Sequence, residues 1–165
     1  AKSAQGESHV LSLIFGNILA VPVNQLKLIA LVFPFIILIH YLFYKEFLFT
    51  SFDPEMAKTL GIKTTHWEIL FYLTVGLIIS MSIHVGGALL TFTYLVIPAT
   101  TALLITDKIK FVFIFSVIFG LLSSFFGMYF SYIIDLPSGP TIVVTSFIIC
   151  IVVIIISEIK NLIKK

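Results

Sequence analysis

The sequence contains no arginine, one cysteine and one tryptophan, and only 11% of its 165 residues are charged. Ten lysines against eight acids leave a formal charge of +2, too weak a balance for a phosphate-rich partner, so nucleic acid is not expected to bind. A lone Cys150 allows no intrachain disulfide and no cysteine-rich metal site. There is no G-x-x-x-x-G-K-[ST] loop to cradle ATP phosphates, no H-E-x-x-H, no C-x-x-C, and no Ser/His/Asp set in an obvious pocket. The chain therefore reads as non-catalytic by itself. The scarcity of charge accompanies 59% hydrophobic residues and a mean hydropathy of +1.16. A soluble domain carries about a quarter charged residues. Soluble enzymes and disordered tails are excluded on that ground.

What is abundant is uninterrupted apolar sequence. Residues 28–44, 69–106, 111–134 and 136–157 contain no Asp, Glu, Lys or Arg. A helix crosses a bilayer with ~20 apolar residues, so the second run, 38 residues long, is long enough to cross twice. The expected fold is an all-α polytopic membrane protein with about five transmembrane helices, approximately Leu26–Tyr44, Trp67–Ile83, Gly87–Ile105, Phe111–Ile134 and Thr141–Ile156. Helices are required because backbone polar groups in lipid must be satisfied within the segment. His9–Val21 is apolar but has only 13 residues, broken by Gly16-Asn17, and reads as a short re-entrant or interfacial helix. Residues 1–8 are polar and carry no signal-peptide pattern. With five spans the termini lie on opposite sides. A cytoplasmic C-terminus places Lys45, Lys58, Lys63, Lys108, Lys110, Lys160, Lys164 and Lys165 inside and only Lys2 and Lys27 outside, as the positive-inside rule prefers.

Two spans carry more than apolar bulk. In the fourth, Ser116, Gly120, Ser124 and Ser123, Gly127, Ser131 repeat at i, i+4, a spacing of small residues that lets another helix approach, most simply within this chain. In the third, Pro98 cannot donate to the carbonyl of Tyr94, and Thr91, Thr93, Thr100 and Thr101 surround it. Those hydroxyls could line a hydrated path or bond back to their own helix.

The loop between spans one and two has the most specific local pattern. Asp53 suits an N-cap, Pro54 the first helical position, Glu55 the positive end of the dipole and Gly61 a left-handed C-cap. A two-turn helix with Met56, Ala57 and Leu60 on one face is expected. That face could dock on a partner or lie on the membrane surface.

The stretch Phe52-Asp53-Pro54-Glu55-Met56-Ala57-Lys58-Thr59-Leu60-Gly61-Ile62 resembles the coupling region of bacterial metal-ion ABC permeases of the zinc/manganese/iron uptake (ABC-3) family. Leu13–Val21, Val85–Leu90 with Leu95–Ala102, and Asp135–Thr141 resemble other stretches of the same family, in order. The resemblance implies the C-terminal part of a permease, with further spans upstream, in a fold similar to the vitamin B12 and siderophore importers. Residues 1–165 would be one transmembrane domain, with 51–62 as the cytoplasmic coupling helix. Asp53, Pro54, Glu55, Met56, Ala57, Leu60 and Gly61 would engage a separate ABC ATPase subunit. The implied partners are a second permease copy and an extracytoplasmic metal-binding protein, in a bacterial cytoplasmic (inner) membrane. His84 stands where many relatives are expected to carry Lys or Arg.

For the transport path the candidates are His40 and His84, because ionisable groups at membrane depth are functional candidates by default, Thr91, Tyr94 and Pro98 for their hydroxyls and the carbonyl that Pro98 leaves open, and Asp135, which could attract cations or cap the Leu136–Pro140 turn. No resident cofactor is expected. The cargo would be a divalent metal. Neutral imidazole suits zinc and carboxylate suits manganese, so His40 and His84 as metal ligands lean toward zinc, with manganese or iron next. The alternatives are a small membrane scaffold without a path, or a permease for metal chelates.

Overall fold

The computed structural model describes residues 14–16, 18 and 21–163. The described residues are mostly helical, in six main helices: α1 (Val23–Leu42), α2 (Tyr44–Phe52), α3 (Pro54–Thr59), α4 (Thr64–Leu103), α5 (Ile109–Ile134) and α6 (Ser138–Ile163). Four of them, α1, α4, α5 and α6 (over Ser138–Lys160), are long and apolar enough to cross a membrane. The protein is an all-α polytopic membrane protein. Helix α4 holds the expected second and third spans end to end. Its 40 residues are about twice the ~20 that one bilayer-crossing helix needs. The helix is broken at Gly87 (φ 80°, ψ 163°), where the sequence places the boundary between the two spans. The short helix expected over 9–21 lies largely outside the described residues. Within it, Ile14 and Phe15 are helical and Gly16 takes a positive φ of 63°.

The chain forms two compact units. One comprises Val21–Met81, and the other the described residues before Val21 and after Met81. In the first, Pro22 precedes α1, and Pro34 within α1 withdraws the donor that would reach the carbonyl of Ala30. A single residue, Phe43, separates α1 from α2. The core of this unit is aromatic. Phe47 is buried, stacks on His40 at 4.7 Å, and meets Trp67 edge-on and Phe71 at an angle, both at 5.7 Å.

In the second unit α5 and α6 pack along one another. Ser123, Gly127 and Ser131 form the buried face of α5. A Cβ on Gly127 would lie 2.6 Å from Cα of Ile142, so only glycine allows this approach. The other small-residue set serves a different contact: the Tyr94 hydroxyl hydrogen-bonds with Ser124 Oγ and reaches the carbonyl of Gly120 at 3.4 Å. Leu90, Ile142 and Val143 form the buried cluster, with Ile18 and Tyr94 against it. The Ser123, Gly127, Ser131 repeat is thus used for close packing within the chain, whereas a Cβ on Gly120 would meet nothing within 4 Å.

Candidate functional site

Helix α3 has defined ends. Asp53 accepts a hydrogen bond from the Met56 amide at 3.0 Å, Pro54 opens the helix and Glu55 lies in its first turn. At the other end Gly61 takes φ 78°. Its amide donates to Lys58 O at 3.0 Å, and the Ile62 amide donates to Ala57 O at 3.0 Å. These two bonds are the paired closure of a Schellman cap, which consumes carbonyls the helix end would otherwise leave open. The sequence expectation for this loop is met at both ends.

Its face is different from the expected one. Met56 and Leu60 are exposed, at 51% and 60%, whereas Ala57 is at 0%. Ala57 is not part of an outward docking surface. It is turned into the unit, and its small side chain lets α3 lie close to the rest of the chain, with α2 among its neighbours. The outward apolar pair is Met56 and Leu60, flanked by the exposed Glu55 and Lys58.

His40 belongs to the Val21–Met81 unit and His84 to the other. His40 Nδ1 lies 3.0 Å from the carbonyl of Ile36. A carbonyl only accepts, so Nδ1 carries the proton and Nε2 is the one nitrogen left to bind a metal. Nε2 lies 3.5 Å from the Thr74 hydroxyl, which itself donates to Leu70 O and Phe71 O at 2.9 Å each. His40 is therefore a packed aromatic with its protonated edge tied to its own helix. His84 is exposed on α4. Among the described residues no group of three or more His, Cys, Asp or Glu could hold a metal ion.

The threonines of α4 bond back to their own helix. Thr91 donates to Gly87 O at 2.8 Å, Thr93 to Leu89 O at 2.8 Å and Thr101 to Ile97 O at 2.7 Å. Thr91 satisfies the carbonyl at the helix break. Pro98 is buried and Tyr94 half-buried against α5. Of the two roles open to these side chains, the geometry takes the packing one. Asp135 is exposed and is the left-handed residue (φ 57°) that closes α5, its amide donating to Ser131 O. The turn is held further by Ser131 Oγ donating to Leu136 O at 2.6 Å.

What sequence inspection misses is a junction of four glycines. Gly16, Gly86, Gly87 and Gly139 come together with backbone against backbone. A Cβ on Gly87 would lie 2.7 Å from Ile14 O and 2.7 Å from Phe15 C. One on Gly16 would lie 2.5 Å from Gly87 N, and one on Gly139 would overlap Phe15 O. The short segment before Val21, the break in α4 and the start of α6 thus meet main chain to main chain. Three of the stretches that resemble the permease family converge at this point, and their only sequence signal is the glycines themselves.

The described residues thus make an all-helical polytopic membrane protein with a short capped helix between its first two spans. The chain belongs to the ABC 3 transport family, whose model matches residues 1–157. It is similar to the manganese transport system membrane protein MntC of Listeria monocytogenes, with 37% identity over 151 residues, 90% of this chain and 52% of that protein. It is also similar to a probable iron transport system membrane protein of Haemophilus influenzae, with 31% identity over 149 residues, 90% of this chain and 53% of that protein. Among solved structures it resembles PsaBC from Streptococcus pneumoniae in complex with Fab, with TM-score 0.82 and 28% identity over 92% of this chain and 55% of that one. The chain spans about half the length of the curated relatives it matches.

Proposed function

We propose that this chain is part of the permease of an ATP-driven importer of divalent metal ions, supplying membrane path while a separate subunit hydrolyses ATP. The observation that carries the reading is the family match over residues 1–157, with α3 presenting Met56 and Leu60 from a helix fixed at both ends. Asp53 and Gly61 hold that helix, and Glu55, Met56 and Leu60 form its docking face. The relatives named above are described as manganese and iron proteins, and His40, half of the reason to favour zinc, is engaged by its own helix. Manganese takes first place as cargo, iron second and zinc third. An extracytoplasmic metal-binding protein and a second permease copy complete the assembly in the bacterial cytoplasmic membrane.

The test is uptake. Cells lacking the complete permease are expected to lose most accumulation of radioactive manganese and to regain growth in metal-depleted medium when manganese is added. Rescue by zinc alone would reverse the metal order. No metal phenotype would favour a membrane scaffold instead.

The lysine asymmetry orients the chain with its C-terminus in the cytoplasm. In a cysteine-free background, a cysteine at exposed Leu136 is expected to react with an impermeant maleimide in intact cells. One at exposed Lys108 is expected to react only after permeabilisation. Ser138 is buried and is a poor probe. The opposite labelling pattern would invert the topology and remove α3 from the ATPase side.

A further inference from the structure

Within the Val21–Met81 unit, α2 and the first turns of α4 border an open-sided cavity of about 250 Å³ whose lining includes Phe47, Thr50, Trp67, Glu68, Phe71 and Tyr72. Two of its lining residues carry side-chain polar groups with no partner among the described residues. Thr50 is 6% exposed, and its hydroxyl oxygen is buried without a hydrogen bond. Five other buried threonines in the helices behave otherwise: Thr74, Thr91, Thr93, Thr101 and Thr145 each donate to the carbonyl four residues back. A buried hydroxyl left unpaired is unfavourable and calls for a specific reason. The Glu68 carboxylate makes no hydrogen bond or ion pair with any described residue. The rest of the wall is aromatic, with Phe47 and Trp67 edge to face at 5.7 Å and Phe71 and Tyr72 likewise at 5.8 Å.

We propose that this cavity binds the primary ammonium of a phosphatidylethanolamine headgroup. Aromatic faces attract an organic cation, Glu68 supplies the counter-charge, and Thr50 and Glu68 offer oxygen acceptors to N–H donors. An anion is repelled by Glu68. A bare divalent cation needs more oxygen ligands than this wall offers. A quaternary ammonium has no N–H to give to Thr50 or Glu68, which favours the primary amine. The lipid source follows from position. Trp67 lies in the first turn of a membrane-spanning helix, where headgroups meet amphipathic rings. Lys63 directly precedes that helix, where the adjoining lipid phosphate finds a cation and open amides. The proposal rests on the chain's being a membrane protein and is independent of what the permease transports.

The test uses the full-length permease, delipidated in detergent. Native mass spectrometry and thermal shift would be run with phosphatidylethanolamine, phosphatidylcholine and phosphatidylglycerol of matched acyl chains, and with soluble O-phosphoethanolamine. Phosphatidylethanolamine is expected to bind tightest and raise the melting temperature most. Glu68→Gln is expected to weaken it about tenfold, the scale of one charge-assisted hydrogen bond. Thr50→Val is expected to move two readouts in opposite directions. It should raise the melting temperature of the lipid-free protein, by removing an unpaired hydroxyl, and lower the affinity for phosphatidylethanolamine. That divergence keeps the test available if Glu68→Gln is not recovered from membranes. Equal binding of the three lipids, or Thr50→Val that leaves the affinity unchanged, would overturn the proposal. Equally tight capture of O-phosphoethanolamine would reassign the amine to a soluble source and overturn the lipid.

Discussion

Gly87→Ala is expected to prevent the full-length permease from reaching a stable fold, with a loss of ~3 kcal/mol or more. Two costs add. At φ 80° and ψ 163° the backbone lies in a region essentially confined to glycine, worth about 1–3 kcal/mol for other residues. The new methyl would also sit 2.7 Å from Ile14 O, an overlap with main chain that no rotamer relieves, typically another 1–3 kcal/mol. A graded series separates the terms. Gly61→Ala keeps φ 78° but meets nothing within 4 Å, so it carries backbone strain of about 1–2 kcal/mol alone. Gly139→Ala has no positive φ and carries only the overlap with Phe15 O. Gly76→Ala carries neither and is expected to be near neutral. Thermal melts in detergent, with membrane-fraction blots for insertion, give the order. A Gly87→Ala protein as stable as Gly76→Ala would mean the segment before Val21 does not pack on the break in α4.

The second large effect concerns α3. Met56→Glu combined with Leu60→Glu is expected to abolish copurification of the ATPase subunit, a weakening of about 30-fold or more if the pair carries ~2 kcal/mol of docking energy. Both side chains are more than half exposed, so insertion and melting temperature should hold. Ala57→Glu is expected to do the reverse. It forces a carboxylate into a fully buried position and lowers the yield of folded protein before any partner is involved. If the double variant binds and stimulates the ATPase normally, α3 is not the coupling element. If Ala57→Glu folds normally and loses only the partner, the outward face of α3 has been assigned wrongly.

The contrast between Ala57 and its neighbours shows where a one-dimensional reading of this chain ends. The caps of α3 are local chemistry: Asp53 bonds an amide three residues away, and Gly61 supplies its own φ. They are legible because every partner lies within a few residues. Which face of the resulting helix turns outward depends on what lies beside it. Helical spacing puts Met56, Ala57 and Leu60 together, while packing separates them. The same holds for the threonines of α4. Their composition fits a polar lining equally well, and only coordinates show each hydroxyl closing on its own helix.

By itself the sequence determined the class, the spans and the local ends. Charge-free runs of bilayer length admit one kind of backbone, since peptide groups in lipid must pair within a helix. The small residues of α5 declared a close contact without naming the partner. Tertiary structure alone decided that Gly127 meets Ile142, that Tyr94 meets Ser124, and that Gly16, Gly86, Gly87 and Gly139 share one junction. It also left Thr50 buried beside Glu68 in an aromatic cavity. A glycine reports the absence of a side chain, and what fills that space comes from residues far along the chain. Periodicity encodes a face, but the neighbour is chosen by the packing of the whole unit.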